Sequence, residues 1–161
     1  MLLRRTVLSS LIATAAFAQA SVGEAFLKHG FNDAEINWRT YQEGIPRAQS
    51  TQKPVLFLAH ATWCPHCTAY RSNFFDPAVV RRIAGFVPVL IDTDANPEIN
   101  QRYAPDGAYV PRTMVLTPQG KLMTDVTGPG QRYRWFLDYG NVRELIEFLD
   151  RGLDAFERQG T

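Results

Sequence analysis

The chain has 161 residues, with 17 Lys+Arg against 16 Asp+Glu and only two cysteines. This length fits one domain, and 45% hydrophobic with 20% charged residues excludes wholesale disorder. A formal charge of +1 without a basic block leaves no electrostatic footprint for nucleic acid, and two cysteines are too few for a disulfide-stapled scaffold or a four-thiolate zinc site.

Residues 1–20 read as an export signal. Arg4 and Arg5 form a positive n-region, residues 7–17 a short apolar h-region, and Ala18-Gln19-Ala20 a small-x-small cleavage pattern that places the cut before Ser21. The apolar stretch is shorter than the ~20 residues a spanning helix needs, so no stable membrane insertion is expected after cleavage. No cysteine follows the cut to carry a lipid at that point. The paired arginines also loosely fit a twin-arginine signal, with the general secretory route preferred. Either route delivers a bacterial protein to the periplasm or cell envelope. The expected mature chain carries 15 basic and 16 acidic side chains.

Residues 21–33 have weak periodicity and read as a lead-in segment, followed by a single domain over 34–158. Asn32 or Asp33 is a candidate cap for a helix over 34–52, which Pro46 is expected to kink or break. The unbroken apolar run 54–59 reads as a strand buried on both faces. A helix over 68–84 follows the cysteines, with Asp76-Pro77 as its breakpoint. Residues 86–91 form a second strand, which Pro88 places at an edge or a strand start. Asn96-Pro97 opens a short helix to Tyr103. Residues 112–116 and 121–126 read as a hairpin around Thr117-Pro118-Gln119-Gly120. The loop over 127–140 is rich in aromatics and is expected to pack, with a lesser role in shaping a rim for clients. Asn141 caps a last helix whose apolar residues, from Val142 to Phe156, recur at three- and four-residue intervals. The sum is an α/β fold.

Trp63-Cys64-Pro65-His66-Cys67 lies where the buried strand gives way to a helix. A Cys-x-x-Cys at a helix start sets the first sulfur beside unsatisfied backbone N–H groups and the positive end of the helix dipole. Both favour thiolate over thiol and make Cys64 a nucleophile near neutral pH. Cys67, one turn on, is close enough to attack a mixed disulfide. His66, when protonated, adds positive charge near Cys64, and Pro65 suits the first helical turn. The competing readings are a static disulfide, a pair of buried free thiols, and a zinc site that recruits two of His29, His60, His66 or carboxylates. Of these, thiol–disulfide exchange fits the strand-to-helix setting and the flanking Trp63 best.

The segment 53–67, KPVLFLAHATWCPHC, resembles the active-site strand and turn of the thioredoxin superfamily. With Trp38, His60, the run Pro105-Asp106-Gly107-Ala108-Tyr109-Val110-Pro111-Arg112 and the Gly-Lys turn, the chain is similar to the small single-domain anterior-gradient/endoplasmic-reticulum thioredoxin-domain group, as an exported bacterial relative. The likeness spans about 34–156. It implies a thioredoxin-like fold, a central mixed β-sheet flanked by helices. It also implies a cis Pro111 facing the cysteines, Val110 offering backbone groups to an extended client, and Trp63 beside the client. The interval from Cys67 to Pro111 leaves no room for the inserted helical domain of the large periplasmic dithiol oxidases, which match only at 64–67. Many thioredoxins bury a proton-managing carboxylate six residues before the first cysteine; here that position is Leu58. His60 is the nearest titratable side chain, and strand alternation favours a structural or exposed histidine over a catalytic one.

The expected activity is therefore an exported thiol–disulfide oxidoreductase whose only redox group is the Cys64–Cys67 dithiol, with no separate cofactor and no metal. Its partners would be cysteine-containing client proteins and another protein or small thiol that recharges it. The Cys-Pro-His-Cys sequence leans towards the oxidising end of the class, with the direction of electron flow open. The alternative is a non-enzymatic client-binding module on the same fold.

Overall fold

Thr40 and Glu43 start the first helix by capping each other. In the computed structural model, which describes residues 30–160, the Glu43 N–H donates to Thr40 Oγ1 and the Thr40 N–H donates to the Glu43 carboxylate, each at 3.3 Å. Helix α1 is therefore Tyr41–Thr51, shorter than the span 34–52. Asn32 caps no helix; it has φ 58 and donates to the Phe74 carbonyl at 3.0 Å. Pro46 sits inside α1 on its exposed side, and its missing N–H leaves the carbonyl of the exposed Gln42 to solvent, so the helix runs on. Residues 1–20, most of the lead-in segment and His29 lie outside the described residues. The lead-in's end belongs to the core: Phe31 is fully buried and accepts the Trp38 indole N–H at its carbonyl, 2.7 Å away.

Strand β1, Val55–His60, is buried at every position. It pairs in parallel with β2, Val87–Asp92, and antiparallel with β3, Arg112–Leu116, giving the order β2-β1-β3. Pro88 lies in β2 without breaking the ladder to β1. Val87 N–H points to β1 and meets the Pro54 carbonyl, whereas the Pro88 carbonyl points outward and accepts from Arg39 N–H at 3.0 Å. The proline nitrogen faces that same outer side, where no β1 carbonyl waits for a donor.

The antiparallel hairpin expected after β3 forms only its turn. Gly120, at φ +79, closes it, and one bridge joins Leu116 to Leu122. Met123 and Val126 are both buried, with exposed Thr124 and Asp125 between them. That spacing is not the alternation of a strand, and the Val126 N–H turns back to the Met123 carbonyl.

The two faces of β1 build two cores. Leu56 and Leu58 join Leu90 and Val115 under Tyr70, Phe74, Phe148 and Leu149. Val55, Phe57 and Ala59 join Val89, Ile91 and Met114 on the side of α1 and of α4, Pro97–Arg102. Between β1 and β2 the chain forms α2, Pro65–Tyr70, a 3-10 turn Arg71–Phe75, and α3, Pro77–Ile83. Asp76 caps α3, accepting from Ala78 N–H at 2.7 Å, so the break at Asp76-Pro77 is where the sequence places it. The last helix, α5, is Val142–Gln159; Asn141 precedes it without a side-chain capping bond.

Helix α1 lies close to β2 because Gly44 has no side chain. A Cβ there would stand 2.2 Å from Val89 Cγ2, a stiff, fully buried side chain. Gly44→Ala gains roughly 1 kcal/mol of helix propensity but overpacks this contact at about 1–3 kcal/mol. The variant should unfold at lower urea than the wild type, and an equal or higher midpoint would show that α1 can retreat from β2.

Candidate active site

The strand-to-helix junction positions Cys64. Its N–H donates to the Ala61 carbonyl at 3.3 Å, closing the turn after β1, and its backbone is extended (φ −84, ψ 116) at the N-cap of α2. Pro65 is the first helical residue, so the helix begins three residues before Thr68. The Cys64 sulfur accepts the Cys67 N–H at 3.2 Å, in the way a capping oxygen would. That donor and the open end of α2 act on charge at Cys64 Sγ.

Both cysteines are free thiols and buried, Cys64 at 3% exposure and Cys67 at 0%. Burial pushes the Cys67 thiol up from its ordinary 9.0 to about 12, and its hydrogen bond with Cys64 adds to the rise. A backbone contact at Ala61 and the charge of Arg71 oppose it more weakly. Leu58, six residues before Cys64, is a fully buried member of the apolar core. His60 is fully buried, 5.3 Å between ring centres from Phe31 at an edge-on angle, and so is not exposed.

The peptide bond between Val110 and Pro111 is cis. The antiparallel register sets Arg112, the start of β3, opposite Ala59 near the end of β1. This brings the Val110 carbonyl to 3.7 Å from Cys64 Sγ, in an apolar cluster with Ala61 and Cys67. Trp63 is 67% exposed, but its indole N–H donates to Asp94 Oδ2 at 2.8 Å, which orients the ring beside Cys64. His66 is exposed on α2, its ring centre 5.2 Å from Tyr139 and 6.2 Å from Phe136. Thus Cys64, Cys67 and Val110 come together, Trp63 and the cis Pro111 are their chain neighbours, and Pro65 and His66 lie exposed on α2.

Several neighbours carry no sequence signal for their position. Asp94 follows β2 in an ordinary polar turn. Of the aromatic loop, Trp135 and Leu137 are buried, as packing requires, whereas Tyr133 and Tyr139 are exposed. The loop is pinned to the segment before Pro111: Tyr109 Oη donates to Asp106 Oδ2 at 3.0 Å and accepts from Trp135 N–H at 3.0 Å. Arg112 belongs to the motif by sequence, but its complete burial was not legible there. Among the described residues, no three of His, Cys, Asp and Glu group to hold a metal ion, and no helix is long and apolar enough to cross a membrane.

The raised Cys67 thiol makes the reduced protein's stability depend on pH. The folded state holds this proton above the pH at which an unfolded chain releases it. Its contribution is therefore fully present below about 9 and lost as pH rises towards about 12. In urea titrations of the reduced protein from pH 8 to 10.5, the wild type should lose more stability than Cys67→Ser. Parallel losses would mean that Cys67 is not held as a buried thiol.

Residues 37–118 match the family model described as thioredoxin-like. The chain is 29% identical over 134 residues to Anterior gradient protein 2 homolog of Homo sapiens, covering 83% of this chain and 75% of that protein. It is 25% identical over 134 residues to Anterior gradient protein 3 of Xenopus tropicalis, covering 83% and 80%. In backbone it is similar to a thioredoxin from Thermus thermophilus, with a TM-score of 0.59 at 22% identity over 79% of this chain and 94% of that one. The mixed sheet, the Cys-x-x-Cys at the N-cap of α2 and these matches agree: the chain belongs to the thioredoxin-like family and is similar to the anterior gradient proteins.

Proposed function

We propose that this protein is an exported thiol–disulfide oxidoreductase that acts on protein cysteines through Cys64 and Cys67. The observation that carries the reading is the asymmetry of the two sulfurs. Cys64 Sγ receives a backbone N–H at the helix start, while Cys67 is fully buried and held as a thiol. Thiol–disulfide exchange needs this division between an attacking sulfur and one held in reserve. Export rests on the sequence of residues 1–20.

In the reducing direction, Cys64 thiolate attacks one sulfur of a client disulfide. The Cys64–client S–S bond forms, the client's own S–S bond breaks, and the client's other sulfur leaves as thiolate and takes a proton. Cys67 then gives up its proton and attacks Cys64 Sγ, releasing the client's second thiolate. Two electrons have passed to the client, and the Cys64–Cys67 disulfide remains. Oxidation of a client dithiol is the same sequence reversed. Without a carboxylate at Leu58, the Cys67 proton leaves to solvent, to the departing client thiolate or to a group other than a carboxylate at that position. A second protein or small thiol resets the pair. Val110 and Pro111 receive the client backbone, Trp63 flanks it, and Pro65 and His66 tune the sulfurs.

Three measurements test this. Cys67→Ser should accumulate mixed disulfides on Cys64, and Cys64→Ser should not; equal trapping by both would reverse or abolish the roles. Insulin reduction should be lost in the double-serine variant, whereas unchanged client handling by that variant would favour a non-enzymatic binding module. Replacing His66 by Gln should make the pair more reducing, read as a lower equilibrium constant for its reduction by glutathione. An unchanged constant would remove His66 from the tuning.

A further inference from the structure

Arg112 is among the largest fully buried side chains of the protein, and among the described residues no carboxylate lies within ion-pair distance of it. Its side chain shares the β3 face of Met114 and Leu116, the face turned to α4 rather than to α2. The guanidinium donates only to neutral oxygens. Nη1 reaches the carbonyls of Gly107, at 3.4 Å, and Tyr109. Nη2 reaches the Asn100 carbonyl, at 3.3 Å, and Asn100 Oδ1 on α4. The guanidinium carbon lies 5.7 Å from the centre of the Tyr109 ring.

Stability alone is a poor reason for such a group. Burying this charge carries a desolvation cost: desolvation pulls the Arg112 pKa down from its usual value, against the weaker pull of Tyr109 and Asp106. What the planar fork supplies is position. It ties α4 to the backbone at 107 and 109, the last turn before the cis Val110–Pro111 bond. Gly107, at φ +128, gives this segment a flexible corner. Asp106 fastens the same segment to the aromatic loop: its Oδ2 accepts from Tyr109 Oη and from Arg134 N–H, the latter at 2.7 Å. Between these ties the Val110 carbonyl stands 3.7 Å from Cys64 Sγ.

We infer that Arg112 is a positioning residue for client capture: its buried fork holds 107–110 so that the Val110 backbone is already in place beside Cys64 when an extended client segment arrives. The inference rests on the thiol–disulfide reading above and names what selects a polypeptide over a small disulfide. Ordering the segment during folding removes that cost from client binding. A small disulfide, which has no backbone to pair with Val110, gains nothing from it.

The test compares two substrates in single-turnover oxidation of the reduced protein: an extended peptide closed by one disulfide, and bis(2-hydroxyethyl) disulfide. Arg112→Met should slow the peptide about tenfold, the scale of one lost charge-assisted hydrogen bond, and leave the small disulfide and the glutathione equilibrium unchanged. Arg112→Lys should recover part of the peptide rate. Asn100→Ala, which removes only one acceptor, should show the same selectivity in smaller degree and decides the matter if Arg112→Met does not fold. An unchanged peptide rate, or equal slowing of both substrates, overturns the inference. A wild type that oxidises with the small disulfide but not the peptide overturns it together with the client reading. Reaction with neither overturns the oxidoreductase reading itself.

Discussion

The antiparallel pairing of β1 with β3 is the constraint on which the site depends. Each strand is short, and each is buried throughout. A slip of one residue would exchange the two apolar faces and send Leu56 and Leu58 to the α1 side. The register is therefore held by both cores at once. Because Ala59 stands opposite Arg112, the turn that leaves β1 towards Cys64 and the segment that enters β3 from Pro111 meet at one end of the sheet. The parallel partner β2 ends at the same edge, where Asp94 receives the Trp63 indole. Three separate chain segments thus meet at this end of the sheet.

Burial then makes the two sulfurs unequal. Cys64 sits at a helix start, next to an N–H that has no carbonyl to meet. Cys67 is one turn deeper and fully buried, clustered with Ala61, Cys64 and Val110. Burial keeps the Cys67 proton in place, because desolvation disfavours the thiolate. Arg112 shows the complementary arrangement on the other face. There a charge is buried among neutral acceptors, and its geometry is spent on the backbone that faces Cys64.

The elements with strong local signals were legible. The run 54–59 is β1 shifted by one residue, and Asp76-Pro77 divides two helices through the Asp76 cap. Of the residues at helical spacing in α5, Leu145 and Leu149 are buried and Val142, Ile146, Leu153 and Phe156 pack half-buried against the core, which Phe148 and Ala155 also enter. Misreadings fall where a local signal competed with a tertiary one. Asn32 has the composition of a helix cap, yet its amide is used 42 residues away, at Phe74. Residues 121–126 have strand-like composition, yet Met123 and Val126 are drawn into the same core and the pairing stops after one bridge. Phe31 lacks periodic neighbours, but it fills the space between Trp38, His60 and Phe74.

By itself the sequence determined the Cys-x-x-Cys and its setting, because a buried strand, an N-cap and a proline at the first helical position are all encoded within a dozen residues. It also determined that the two cysteines are no framework, since they lie too close in sequence to brace distant segments. Only the tertiary structure decided what faces them. Val110 is 46 residues from Cys64, Asp94 is 31 from Trp63, and Tyr139 reaches His66 from a loop that precedes the last helix. These neighbours depend on strand register and on which side of the sheet each crossing segment packs, and a non-local pairing of that kind leaves no periodicity in the chain to read.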